Sequence, residues 1–119
     1  MFKRFNRHEI TLNRVHDSIR IREGDESLTL RVESDPLRMV AGIMQAQKML
    51  QAIDENSTEE QKQNAARYFA EVIFGKAQAD KLLAFYLFDA ACVINVCGRY
   101  FAERLSKKID KAQRRAGIK

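Results

Sequence analysis

The spacing of apolar residues changes once along this chain, from every second residue to every third or fourth, and the change falls at Asp35-Pro36. Before it, Ile10 and Leu12, then Ile19 and Ile21, then Leu28, Leu30 and Val32 alternate with polar neighbours. Period-two spacing puts each set on one face of a strand, with Thr11, Arg20, Thr29 and Arg31 on the other. Glu23-Gly24-Asp25-Glu26 divides the second run from the third and suits a hairpin turn, while Asn13 to Asp17 reads as the connection between the first two. The expectation is a three-stranded antiparallel meander over residues 1–34. Three short strands need cover on their apolar side, so residues 35–119 must supply it.

Asp35-Pro36 marks a helix start: Asp accepts from the free N–H groups at the N-cap, and Pro tolerates the first helical position. Met39, Ile43, Ala46, Leu50 and Ile53 then form a helical stripe. A second helix begins at Ser57-Thr58-Glu59-Glu60-Gln61, where either Ser57 with Glu60 or Thr58 with Gln61 fits a capping box. Ala65, Phe69, Val72 and Ile73 mark its buried side, and Gly75 ends it. Lys76 to Tyr86 is helical in pattern, and Asp89 reads as the N-cap of a last helix, because Leu87-Phe88 leave no polar face for one continuous helix. Ile94, Cys97, Phe101, Leu105, Ile109 and Ala112 make one stripe along it. A helix from Asp89 to Arg114 is about 37 Å long, close to the diameter of a compact domain of this size, so its end is expected to project. Gly42 and Gly98 fall inside predicted helices, which points to close helix packing there.

The fold class expected is therefore α+β: one domain over 1–119, with the meander packed beside three or four helices, the last long and amphipathic. Hydrophobic residues at 45% and charged residues at 31% fit a globular chain. At this length the chain buries about two-thirds of its unfolded surface and needs no disulfides. Cys92 and Cys97 lie in the most apolar stretch and fit a reducing compartment. The start Met1-Phe2-Lys3-Arg4-Phe5-Asn6-Arg7 lacks the apolar region of a signal peptide, and the run from Leu82 to Cys97 is too short to span a bilayer. A cytoplasmic location, without membrane contact, is expected.

No group of residues converges on a reaction. His16-Asp17-Ser18 resembles triad fragments, but neighbours on a strand face opposite sides, and a solvated turn accounts for all three. His8 and His16 are the only histidines, too few for a metal site without further ligands. Cys92 and Cys97 stand about 140° apart around a helix and match no CxxC or zinc pattern. Glu59-Glu60 complement a helix dipole, and the five glycines are isolated, so no phosphate-cradling loop exists. A non-enzymatic protein without cofactor or metal is expected.

The charge is uneven. Residues 99–119 carry eight Lys/Arg against two Asp/Glu, so this segment's net +6 exceeds the whole chain's net +5. Arg99, Arg104, Lys107, Lys108, Lys111, Arg114, Arg115 and Lys119 form the cluster. A solvated helix end accounts for it, since cations suit the C-terminal pole of the dipole. Phosphate contacts are the alternative, although only Tyr100 and Phe101 interleave as aromatics. The stripe Phe101, Leu105, Ile109, Ala112 runs through the same segment, and an apolar seam on a projecting helix wants a partner. The candidate partner-binding residues are Phe101, Leu105, Lys108, Ile109, Ala112 and Arg115, with self-association through this helix expected.

Phe74-Gly75 followed by Ala79, Leu82-Leu83 and Phe85-Tyr86, then the Asp89-initiated helix with Cys97-Gly98-Arg99-Tyr100-Phe101 and a lysine-rich end, resembles the small tail assembly chaperones of siphophages and prophages of Gram-positive bacteria. The layout is similar over most of the chain, from the N-terminal strands through the helix of Met39 to Ile53. The resemblance implies a non-enzymatic protein that binds the tape-measure protein and tail-tube subunits before tail polymerisation. It transfers no site residues. A nucleic-acid-binding phage protein using the basic helix end is the second reading, weakened by the lack of a helix-turn-helix pattern.

Overall fold

A computed structural model describes residues 15–115 and Gly117. Strands β1 (Val15–Glu23) and β2 (Glu26–Ser34) pair antiparallel, from Val15↔Ser34 to Glu23↔Glu26. The turn is Gly24-Asp25, with φ +61° at Gly24 only, the II′ pattern that Gly favours at the first central position. The described sheet has two strands. The strand expected at Ile10 and Leu12 lies outside the described residues, and Val15 to Asp17, expected in a connection, belong to β1. Leu30 and Val32 are fully buried on the inner face, with Ile19, Ile21 and Leu28 packed beside them.

Five helices follow. Helix α1 (Pro36–Gln51) is capped by the Asp35 carboxylate, which accepts from Leu37 N–H at 2.9 Å, and it stops short of Ile53. Helix α2 (Glu59–Phe74) begins with the Thr58–Gln61 capping box, the second of the two pairings the sequence allows. Gly75, at φ +85°, ends α2 and immediately precedes α3 (Lys76–Phe85). Asp89 caps α4 (Ala90–Tyr100), accepting from Cys92 N–H at 3.3 Å. A π segment, Phe101–Leu105, then leads into α5 (Ser106–Arg115). No described helix is long and apolar enough to cross a membrane.

Where one long last helix was expected, a π segment divides two α-helical stretches. Ser106 N–H reaches back to Phe101 C=O, a five-residue step. The buried positions therefore run Val93, Cys97, Tyr100, then Leu105, Ile109 and Ala112, with the extra residue absorbed between Tyr100 and Leu105. The end does not project: α5 lies against α1, and Leu105, Ile109 and Ala112 are 0%, 9% and 5% exposed.

Helix α2 touches α1, α3, α4 and β2. Close approach to α1 needs Gly42, where an added Cβ would lie 2.9 Å from Val72 Cγ1. Gly98 has open space instead, so the close packing expected there is absent. The two glycines should respond with opposite signs. Gly42→Ala should lower stability by about 1–2 kcal/mol, because the stiff β-branched Val72 must move. Gly98→Ala should raise it by up to about 1 kcal/mol through helix propensity. Urea denaturation of both variants checks this.

Candidate partner-binding site

Between α3 and α4 the chain reverses direction within a few residues. Phe88 N–H donates to Leu83 C=O at 2.8 Å and Leu87 N–H to Ala84 C=O at 3.0 Å, the paired bonds of a Schellman motif. That motif needs a left-handed residue after the helix, a place glycine usually fills. Here Leu87 takes it at φ +53°, and Phe88 follows at φ +63°. Asp89 N–H donates to Tyr86 C=O, and the Gln63 side-chain amide donates to Phe88 C=O at 3.2 Å. The result is a hydrogen-bonded knuckle that holds Leu87 86% exposed and Phe88 49% exposed. Two strained backbone positions that keep large apolar side chains in water are costly to the fold. The arrangement suits recognition of an apolar surface.

Tyr86, the residue before the knuckle, also lines a groove of about 400 Å³ between β1 and α4. One wall is Ile19 to Glu23, and the other carries Asn95, Val96, Arg99, Tyr100, Glu103 and Arg104. Two of its lining residues, Tyr100 and Arg104, also clamp the hairpin to the helices. The buried Tyr100 hydroxyl donates to Asp17 Oδ2 at 3.1 Å, and Arg104 Nη1 reaches Asp17 Oδ1 at 3.4 Å and Ser18 C=O at 3.1 Å. Burial, the Asp17 charge and that hydrogen bond raise the Tyr100 pKa, against a smaller opposing effect of Arg104. His16-Asp17-Ser18 is thus strand rather than turn, with His16 exposed and Asp17 turned to the helices.

The six residues expected to bind a partner do not form an open seam. Leu105, Ile109 and Ala112 are buried, Phe101 and Lys108 are half-buried, and Arg115 is exposed. Leu105, Ile109 and Ala112 form a packing stripe, and α5, which carries the last two, lies against α1. Sequence reasoning overlooked Leu87 and Phe88 as a surface, although their signal was present: two bulky apolar residues where a polar turn would normally stand. Among the described residues, no group of three His, Cys, Asp or Glu is placed to hold a metal. Cys92 and Cys97 are free thiols. Burial, the Asp89 charge and its hydrogen bond, and Glu23 raise the Cys92 pKa, while burial pushes Cys97 up to about 12.

The fold is a β-hairpin laid on a helical layer. No protein-family model, curated protein or solved structure matches the chain. The resemblance to tail assembly chaperones stands on residue layout alone.

Two outcomes follow from this geometry. At a left-handed position Gly avoids the Cβ clash that Ala retains, so Leu87→Gly should exceed Leu87→Ala in stability by about 1 kcal/mol, the reverse of the order at a helix position. Thermal or urea denaturation of the two variants gives the comparison. Cys97 holds its proton more tightly folded than unfolded, so its contribution to stability is complete below pH 9.0 and is lost as pH rises towards about 12. Urea melts between pH 8 and pH 11 should show stability falling. Cys97→Ala should flatten that slope without abolishing it, because Tyr100 shifts in the same direction.

Proposed function

We propose that this chain is a non-enzymatic protein-docking domain, acting as a tail assembly chaperone in the cytoplasm of a bacterial host, with tape-measure or tail-tube protein as its partner. The observation that carries the docking role is the Leu87-Phe88 knuckle. Its backbone groups are hydrogen-bonded, its φ values are left-handed, and its side chains face solvent. A rigid apolar projection of this kind loses little freedom on binding and gains the burial of Leu87, worth about 1.5–3 kcal/mol, and of the exposed half of Phe88. The partner's identity comes from the resemblance. The binding surface expected along Phe101 to Ala112 moves to the knuckle, because Leu105, Ile109 and Ala112 are already buried and α5 packs on α1.

A second reading, binding of nucleic acid by the basic end, is supported by Lys107, Lys108, Lys111 and Arg115. These form no ion pair among the described residues, whereas Arg114 pairs with Asp110 at 2.9 Å.

Co-expression with the tape-measure and tail-tube proteins of one prophage tests the proposal. The wild-type chain should co-purify with one of them, and the Leu87→Ser/Phe88→Ser double variant should capture it at least about tenfold less while still melting cooperatively. Capture of neither protein removes the chaperone reading, and equal capture by the variant removes the knuckle. Recovery of nucleic acid instead, lost steeply with added salt, selects the second reading.

A further inference from the structure

The two edges of the hairpin are treated differently along their length. In a two-residue hairpin the pair flanking the turn is hydrogen-bonded, and bonded and unbonded pairs alternate from there. Glu23↔Glu26, Ile21↔Leu28, Ile19↔Leu30 and Asp17↔Val32 are then the bonded pairs. The backbone groups of His16, Ser18, Arg20 and Arg22 point away from β2. The Gln78 side chain agrees with this phase: it bonds both the N–H and the C=O of Arg31, on the far edge of β2. Ser18, the partner of Arg31, is closed on the β1 edge in the same manner, its N–H on Asp17 Oδ1 at 2.8 Å and its C=O on Arg104. Both edges are therefore capped by side chains at one level of the sheet.

Nearer the turn, no described residue caps the β1 edge. Arg20 and Arg22 make no hydrogen bond beyond the hairpin among the described residues, and both residues line the groove between β1 and α4. The groove has a volume of about 400 Å³. Its length along Ile19 to Glu23 corresponds to about 16 Å of extended chain. A strand laid there would present alternate side chains in two directions. One set would meet Arg20 and Arg22 on the outer face, and the other would meet Ile19, Ile21, Tyr86 and Val96 within. The charged lining is four Arg (Arg20, Arg22, Arg99, Arg104) against two Glu (Glu23, Glu103). Arg99 pairs with Glu103 at 3.7 Å and Arg104 with Asp17 at 3.4 Å, while Arg20 and Arg22 have no ion pair among the described residues. The chain's own first fourteen residues carry four Lys/Arg against one Glu, so their charge matches the groove poorly.

The geometry points to a strand-addition site: the β1 edge at Arg20 and Arg22 takes a short extended segment of a partner protein in which acidic and apolar residues alternate. Main-chain hydrogen bonds supply affinity and the alternating side chains supply selectivity. This deepens the protein-docking reading and rests on it, but uses residues separate from Leu87 and Phe88.

The test uses the full chain and synthetic peptides, Asp-Val-Glu-Ile-Asp-Val and its lysine counterpart Lys-Val-Lys-Ile-Lys-Val. In amide-resolved NMR the acidic peptide should shift the amides of Arg20 and Arg22 and slow their hydrogen exchange, and the lysine peptide should not. By fluorescence anisotropy, Arg20→Glu/Arg22→Glu should weaken the acidic peptide at least tenfold, whereas Leu87→Ser/Phe88→Ser should leave it unchanged. N-methylation of the peptide's central residues should abolish binding in the unaltered protein, independently of any variant's folding. Equal binding of both peptides, indifference to N-methylation, or Arg20 and Arg22 amides already protected in the free protein would each overturn the proposal. The last result would mean that the chain fills its own groove.

Discussion

Helix α2 has to be approached from several sides at once, and the rest of the molecule is arranged around that requirement. Helices α1, α3 and α4 and strand β2 all pack on it. Small residues make this possible: Ala65, Ala66 and Ala70 are essentially without exposure, and Phe69, Ile73 and Phe74 fill the spaces between the approaching elements. Where α1 comes nearest, the contact is Gly42 against Val72. A two-stranded hairpin is marginal in water by itself. Leu30 and Val32 become fully buried only because β2 lies across α2 and α3, so the sheet is a consequence of the helical layer rather than its support.

The second constraint is the angle at which the hairpin sits. The Asp17 carboxylate receives both the Tyr100 hydroxyl and Arg104, which belong to the end of α4 and to the π segment. Tyr100 is itself buried and tilted against Phe74, with ring centroids 5.8 Å apart. The π segment lets Tyr100 and Leu105 both face inward although five positions separate them; an unbroken α-helix would turn one about 140° away from the other. One extra residue in the helix thus serves two contacts, the clamp on β1 and the return of α5 to α1.

Much of the local structure was legible. Asp35-Pro36, the Thr58–Gln61 box, Gly75 and Asp89 each act through a few neighbouring backbone groups, so a short stretch of sequence contains the whole cause. The hairpin over Ile19 to Val32 was legible for the same reason, its alternation and its Gly24-Asp25 turn being adjacent. What failed was long-range. The stripe of Leu105, Ile109 and Ala112 was correctly apolar, but nothing in its own sequence says that α1, more than fifty residues earlier, covers it. The π segment was hidden because a period of 3.6 fits the apolar residues nearly as well through Phe101 as the true path does through Tyr100. The groove arises from a contact between Asp17 and Tyr100 that no local pattern announces, and the left-handed path at Leu87 uses a residue type that ordinarily argues against it.

These failures share a cause that bears on function. A sequence is locally consistent where folding alone decides the residue, and departures mark places where another requirement has been added. At Leu87, glycine would relieve the backbone and asparagine would suit the solvent, yet an exposed leucine stands there. Along β1, side chains close the edge at Ser18, whereas two residues later no described side chain closes it at Arg20. Tyr86 joins the two places, since it lines the groove and leads directly into the knuckle. In the proposed reading, the apolar projection and the strand edge that no described residue caps would offer a partner two kinds of contact, burial of side chains and pairing of backbone. Neither of these proposed contacts would ask the helical layer to move, so the core built on α2 would stay closed with a partner bound.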